Sequence, residues 1–132
     1  MSDLVDFLRA RLDEDEATAR AAARNYDSET GRAEWTVDGL AIVAADGHCV
    51  AVTELADDED DRAHIARWDP KHVLLEVATK RRVLRTIDAG GRWRALRTRR
   101  QMNAYREWAE HVLHLLALPY TNHPKYQSEW AP

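Results

Sequence analysis

The sequence is short of the residues from which small catalytic and export motifs are built. Its one cysteine, Cys49, excludes an internal disulfide and with it the disulfide-stapled secreted class. Five scattered glycines form neither a Walker loop nor a G-x-G-x-x-G turn, so no phosphate cradle of those kinds is present. The three serines, Ser2, Ser28 and Ser128, do not sit in a G-x-S-x-G elbow. No apolar run approaches the ~18 residues of a membrane span; the longest, Leu40 to Ala45, is strand-sized. Asp3 and Asp6 stand where a secretory leader would carry bases, so a cytoplasmic location and no membrane partner are expected.

What is present is enough for one globular domain. The chain has 132 residues, 45% apolar and 32% charged, which is compatible with a core and with folding in water. Arginine outnumbers lysine 16 to 3 and there are 21 alanines, a bias that reads as GC-rich coding. The formal net charge of −4 hides a strong segregation. Residues 1–61 carry 17 acids against 5 bases, residues 62–100 carry 3 against 12, and the last 32 carry 3 against 2. An acidic half therefore precedes a basic segment, and the average charge says little about partners.

The pattern predicts an α+β fold: a three-helix bundle, a small three-stranded antiparallel meander and an extended aromatic C-terminal tail. A first helix is expected over residues 3–24, with Val5, Leu8, Leu12, Ala19, Ala22 and Tyr26 as its apolar stripe. The meander is expected over residues 34–54, because Asp38-Gly39 and Asp46-Gly47 are hairpin signals of the type I′ kind. Two-residue turns on these dipeptides would pair Trp35 with Ile42, Ile42 with Ala51 and Ala44 with Cys49, leaving both sheet faces apolar. Such a sheet needs two covers, helices or a second subunit. An acidic linker, residues 55–61, then leads to a helix over 70–88 with Asp69 as N-cap and Pro70 at N1. Gly90-Gly91 separates it from a third helix over 93–117, and the tail, 118–132, carries Tyr120, Tyr126 and Trp130, which should lie back over the helices.

Three stretches carry a family resemblance. They are FLRARLDEDE from Phe7, HIARWDPKHVLLEVATKRRVL from His64 to Leu84, and LALPYTNHPKYQSEW from Leu116 to Trp130. Together they resemble a family of short, uncharacterised actinobacterial and actinophage proteins, a domain of unknown function. Trp68 departs from the family pattern, which has a histidine beside the Asp-Pro pair. The resemblance implies a lineage and no activity, cofactor or catalytic residue.

Three constellations remain to be placed. Glu107, His111 and His114 fall within two turns of one helix and could face a metal ion, with His123 and Asp69 as further ligands, yet the spacing matches neither HExxH nor a di-iron ExxH. A metal-dependent hydrolase is thus the third-ranked reading, and a solvated helix flank with a partly buried histidine is the preferred account of the trio. Cys49 follows His48, but consecutive strand residues point to opposite faces, so a buried, inert thiol is expected. The basic segment holds Lys80, Arg81, Arg82, Arg85, Arg92, Arg94, Arg97, Arg99 and Arg100, with Asp88 as its one acid and Trp93 for base stacking. It makes nucleic-acid binding the second reading, unless the acidic first helix neutralises it.

The preferred expectation is a non-catalytic accessory protein without a cofactor, acting through protein contacts, with homodimer formation one form of them. Val43, Val50 and Val52 on the sheet and Trp68, Trp93 and Trp130 near loops or helix ends are the interface candidates, whereas Trp35 and Trp108 are assigned to the core.

Overall fold

A computed structural model describes residues 2–24, 32–55, 57–88 and 98–131. These residues form four helices and one three-stranded antiparallel sheet: α1 (Ser2–Ala23), β1 (Trp35–Asp38), β2 (Ala41–Ala44), β3 (Cys49–Val52), α2 (Glu59–Arg67), α3 (Pro70–Asp88) and α4 (Arg99–Ala117). Short 3-10 turns follow at Leu118–Tyr120 and Ser128–Trp130. The α+β expectation holds. Two compact units are present, one of Met1–Asp13 with Ala78–Pro132 and the other of Glu14–Val77, so α1 and α3 each contribute to both.

In the first unit the start of α1 buries Leu4, Leu8 and Leu12, which recur at four-residue spacing, with Phe7 beside them. Each such leucine contributes about 2 kcal/mol relative to an exposed one. The end of α3 supplies Leu84 and Ile87, and α4 supplies Ala109, Leu113 and Ala117. Phe7 is the hub of an aromatic cluster made by the tail. Its ring centroid lies 4.9 Å from Trp130, 5.6 Å from His123, 6.1 Å from Tyr126 and 6.3 Å from Tyr120. The tail therefore does lie back on a helix, and Trp130, an interface candidate on sequence grounds, is a core residue at 7% exposure. Arg11, also buried, donates to the imidazole Nε2 of His123 and lies over the Phe7 ring, 5.5 Å from its centroid.

α4 starts at Arg99, six residues after the expected start at Trp93. Thr98 is extended there, and its hydroxyl accepts from the Gln101 N–H while the Gln101 side chain accepts from the Thr98 N–H. This capping box satisfies two otherwise orphaned donors. Tyr105 on α4 donates its hydroxyl to the Ile87 carbonyl at 2.7 Å, satisfying an acceptor in the last turn of α3. Burial, and secondarily the Asp88 carboxylate, push the Tyr105 hydroxyl above its ordinary pKa. The proton is thus held more tightly in the folded chain, so the stabilisation is complete below about pH 10 and is lost as pH rises through the folded-state value. Tyr105→Phe is expected to cost about 1 kcal/mol in urea unfolding at pH 7, with the gap to the parent closing above about pH 10. A pH-independent gap would show that the hydroxyl is not the cause.

In the second unit the sheet order is β1-β2-β3. Both hairpins form, but the first closes one residue later than predicted, on Gly39-Leu40, so that Asp38 pairs with Ala41, Val37 with Ile42 and Trp35 with Ala44. Gly39 has φ +59° and Leu40 does not share the positive φ, the pattern of a type II′ turn. That turn wants glycine first, which draws Asp38 into the strand. On the other side Ile42 pairs with Ala51 as expected, but Val43 rather than Ala44 lies opposite Cys49, with Val50 the extra residue. The one-residue slip moves Cys49 to the other face. It is exposed, where a buried thiol was expected.

Ile42 and Ala44 are the buried side of β2, and Ala41 and Val43 are half-buried. α2 packs on β1 and β2. It takes the last three residues of the segment expected to be an acidic linker and the residues after it; Glu59, Asp60 and Asp61 form its first turn, where carboxylates favour a helix N-terminus. Its buried face carries Arg62, whose guanidinium donates to the Thr53 hydroxyl at 2.6 Å and to the Leu55 carbonyl at 3.1 Å. Asp69 joins the α3 start to the sheet. One carboxylate oxygen accepts from the His72 N–H at 2.8 Å, the N-cap role expected of it, and the other accepts from the Trp35 N–H at 3.1 Å. The Lys71 N–H donates in parallel to the Ala33 carbonyl at 2.9 Å.

Candidate functional site

The basic segment meets the acidic helix in part. On α3, Arg81 pairs with Asp13 of α1 at 2.5 Å, and Asp88 receives Arg9 of α1. Together with Leu84 and Arg85 these four line a shallow groove of about 270 Å³. Two ion pairs with exposed partners contribute little stability each, but they draw one basic side chain and the segment's one acid into contacts within the first unit. Arg82, Arg85, Arg99 and Arg100 are exposed, while Lys80 is half-buried. Arg99 and Arg100 occupy the first turn of α4, which has no acid, and cations are disfavoured at that end of a helix. Arg92, Trp93, Arg94 and Arg97 lie outside the described residues.

The metal candidates do not converge. Glu107 and His111 are exposed and His114 is half-buried, and among the described residues no group of three or more His, Cys, Asp or Glu side chains is placed to hold an ion. The further ligands considered are engaged elsewhere, His123 by Arg11 and both Asp69 oxygens by backbone N–H groups. The Cys49 thiol lies 3.7 Å from the Ala51 carbonyl. His48 donates its backbone N–H to Asp46 at 2.9 Å, and Arg32 donates to the other Asp46 oxygen at 2.5 Å. The Arg32 hydrogen bond first, then that of His48, hold the Asp46 carboxyl below its ordinary pKa.

Large apolar side chains at the surface are the more telling feature. In the second unit Val52, an interface candidate, is 64% exposed and Leu55 and Leu75 similarly so, whereas Val43 and Val50 are half-buried. Trp68 is 46% exposed at the end of α2, with the His72 ring set edge-on at 4.6 Å and the His64 ring at 6.3 Å. Beside it a groove is lined by Asp60, Ala63, His64, Arg67 and Trp68. In the first unit Trp108 and Leu115 are each 46% exposed and Leu118 follows at 38%. Trp108, assigned to the core on sequence grounds, is thus an outward residue. The helical spacing carried the missed signal, because Trp108 and Leu115 stand seven apart and opposite Ala109 and Leu113.

Fold and surface together define an α+β protein with segregated charge and exposed apolar side chains. No helix among the described residues is long and apolar enough to cross a membrane. Over residues 1–132 the chain matches a family described as "Family of unknown function (DUF6221)", and it belongs to that family. Comparison with curated proteins and with solved structures found no match.

Proposed function

We propose that this protein is a non-catalytic cytoplasmic accessory protein that works through protein contacts, self-association among them. The observation that carries this reading is the set of large apolar side chains held at the surface, Trp68, Leu75, Trp108 and Leu115 foremost. Burying such groups against water is the main driving force of protein association, and large exposed aromatics are common anchors of interfaces. The arginine- and alanine-rich composition supports an actinobacterial or actinophage source.

A second reading, binding of DNA or RNA, is favoured by one specific observation: Arg99 and Arg100 in the first turn of α4, with Arg82 and Arg85 exposed on α3. The ion pairs of Arg81 with Asp13 and of Arg9 with Asp88 weigh against it, as does an overall pI of about 5.8. No observation favours the metal-dependent hydrolase.

Light scattering on a sizing column, with fluorescence anisotropy of a labelled oligonucleotide at 50 and 200 mM salt, separates the two. Association above one copy and no oligonucleotide binding at either salt is expected. A strict monomer that binds the oligonucleotide at low salt and releases it at high salt overturns the reading in favour of the second.

A further inference from the structure

The outward side of α4 has a regular composition. Ala104, Trp108, His111, Leu115 and, just past the end of the helix, Leu118 follow one another at intervals of four, three, four and three residues, the heptad spacing of a helix seam. His111 and Ala104 are exposed together with the three larger groups, and the inward side of the same helix is already filled by Ala109, Leu113 and Ala117. α4 therefore carries two apolar sides, one of which belongs to its own core and one of which faces water. The 19-residue helix is about 28 Å long, enough for several layers of contact with one other helix.

We propose that this outward seam is where a second copy of the chain docks, α4 against α4 and antiparallel, an inference that rests on the protein-contact reading above. The seam is self-complementary in that orientation. Setting Trp108 opposite His111 of the partner copy also sets Leu115 opposite Ala104 of the partner copy, so each large side chain meets a smaller one, as interdigitating layers require. The flank of the seam is complementary in charge. Glu107 and His114 stand seven residues apart on the same side, and the twofold axis carries each towards the other on the partner copy, so that the Glu107 carboxylate accepts from the His114 imidazole twice per dimer. A parallel pairing would instead set like residues against each other along the seam, Trp108 against Trp108 of the partner copy, and would hold Glu107 and His114 of the two copies on opposite sides of it.

Sedimentation of the full chain across a concentration series tests this, with variants chosen at exposed positions so that the fold survives. Trp108→Ala is expected to weaken the dimer at least about tenfold, and Val37→Ala, 44% exposed in the second unit, to leave it unchanged. Glu107→Lys alone should weaken it, and adding His114→Glu should restore it, a rescue that a merely structural role would not produce. Ala104→Cys with Leu115→Cys in a Cys49→Ser background should give a covalent dimer on oxidation, since the two positions are about 16 Å apart on one helix and cannot bridge within a chain. A strict monomer overturns the proposal, as does failure to form the covalent dimer. A dimer insensitive to Trp108→Ala but lost with Val37→Ala overturns it while leaving the protein-contact reading in place.

Discussion

Replacing Trp130 by alanine destabilises the fold by about 3 kcal/mol, although the residue is third from the C-terminus. The indole is 7% exposed and packs 4.9 Å from Phe7 and 5.7 Å from Tyr126, so its removal opens a cavity against the buried face of α1. Large-to-small changes of this kind cost about 3–5 kcal/mol, and the lower end is expected because a chain end relaxes more readily than a helix interior. Chemical unfolding followed by far-ultraviolet circular dichroism measures it. Trp108→Ala, the same change at a 46% exposed site, should cost less than about 1 kcal/mol when measured at a chain concentration low enough to hold the monomer. Equal effects of the two would show that the tail does not close the core.

Asp69→Ala is the second large effect, a loss of about 3 kcal/mol. Two contributions add. The helix cap on the His72 N–H contributes about 1 kcal/mol, and the Trp35 N–H, left without its acceptor, costs about 1–3 kcal/mol. The carboxylate is 7% exposed, so water does not readily replace it at either donor. Asp69→Asn separates the two contributions. An amide keeps one acceptor oxygen and can still cap the helix, but its nitrogen meets a donor at the other side, and about half the loss is expected. Thermal unfolding with amide hydrogen exchange at Trp35 and His72 reads both sites. Full stability in Asp69→Ala would refute the clip between the sheet and α3.

These two residues show where local and non-local information part. Asp69-Pro70 reads directly as a helix start, because capping involves residues within one turn, and the structure places the cap there. That the same carboxylate also holds Trp35, 34 positions away, is not a local property. The tail was legible as aromatics too large to dangle, while its docking site, the one phenylalanine of the chain, was not. Shape and exposure also decided the two tryptophans assigned with most contrast. Trp130, near the chain end, is inside, and Trp108, mid-helix, is outside.

The candidate sites follow the same division. Spacing placed Glu107, His111 and His114 on one helix correctly, but a metal needs ligands from other elements, and none among the described residues join them. The basic segment was visible as composition, whereas its partial neutralisation by Asp13, and the pairing of Arg9 with Asp88, depend on how α1 lies beside α3 within the first unit.

The sequence by itself determined the types of α1, the three strands, α3 and α4, the α3 cap, two glycine-bearing hairpins and the segregation of charge, because each rests on propensity or periodicity over a few residues. Only the tertiary structure decided the strand register, the exposure of Cys49, the start of α2 at the end of an acidic linker and the outward turn of Trp108 and Leu115. Those depend on which of two apolar faces a neighbour covers, and on single-residue slips that flip a side chain from one face to the other at little local cost.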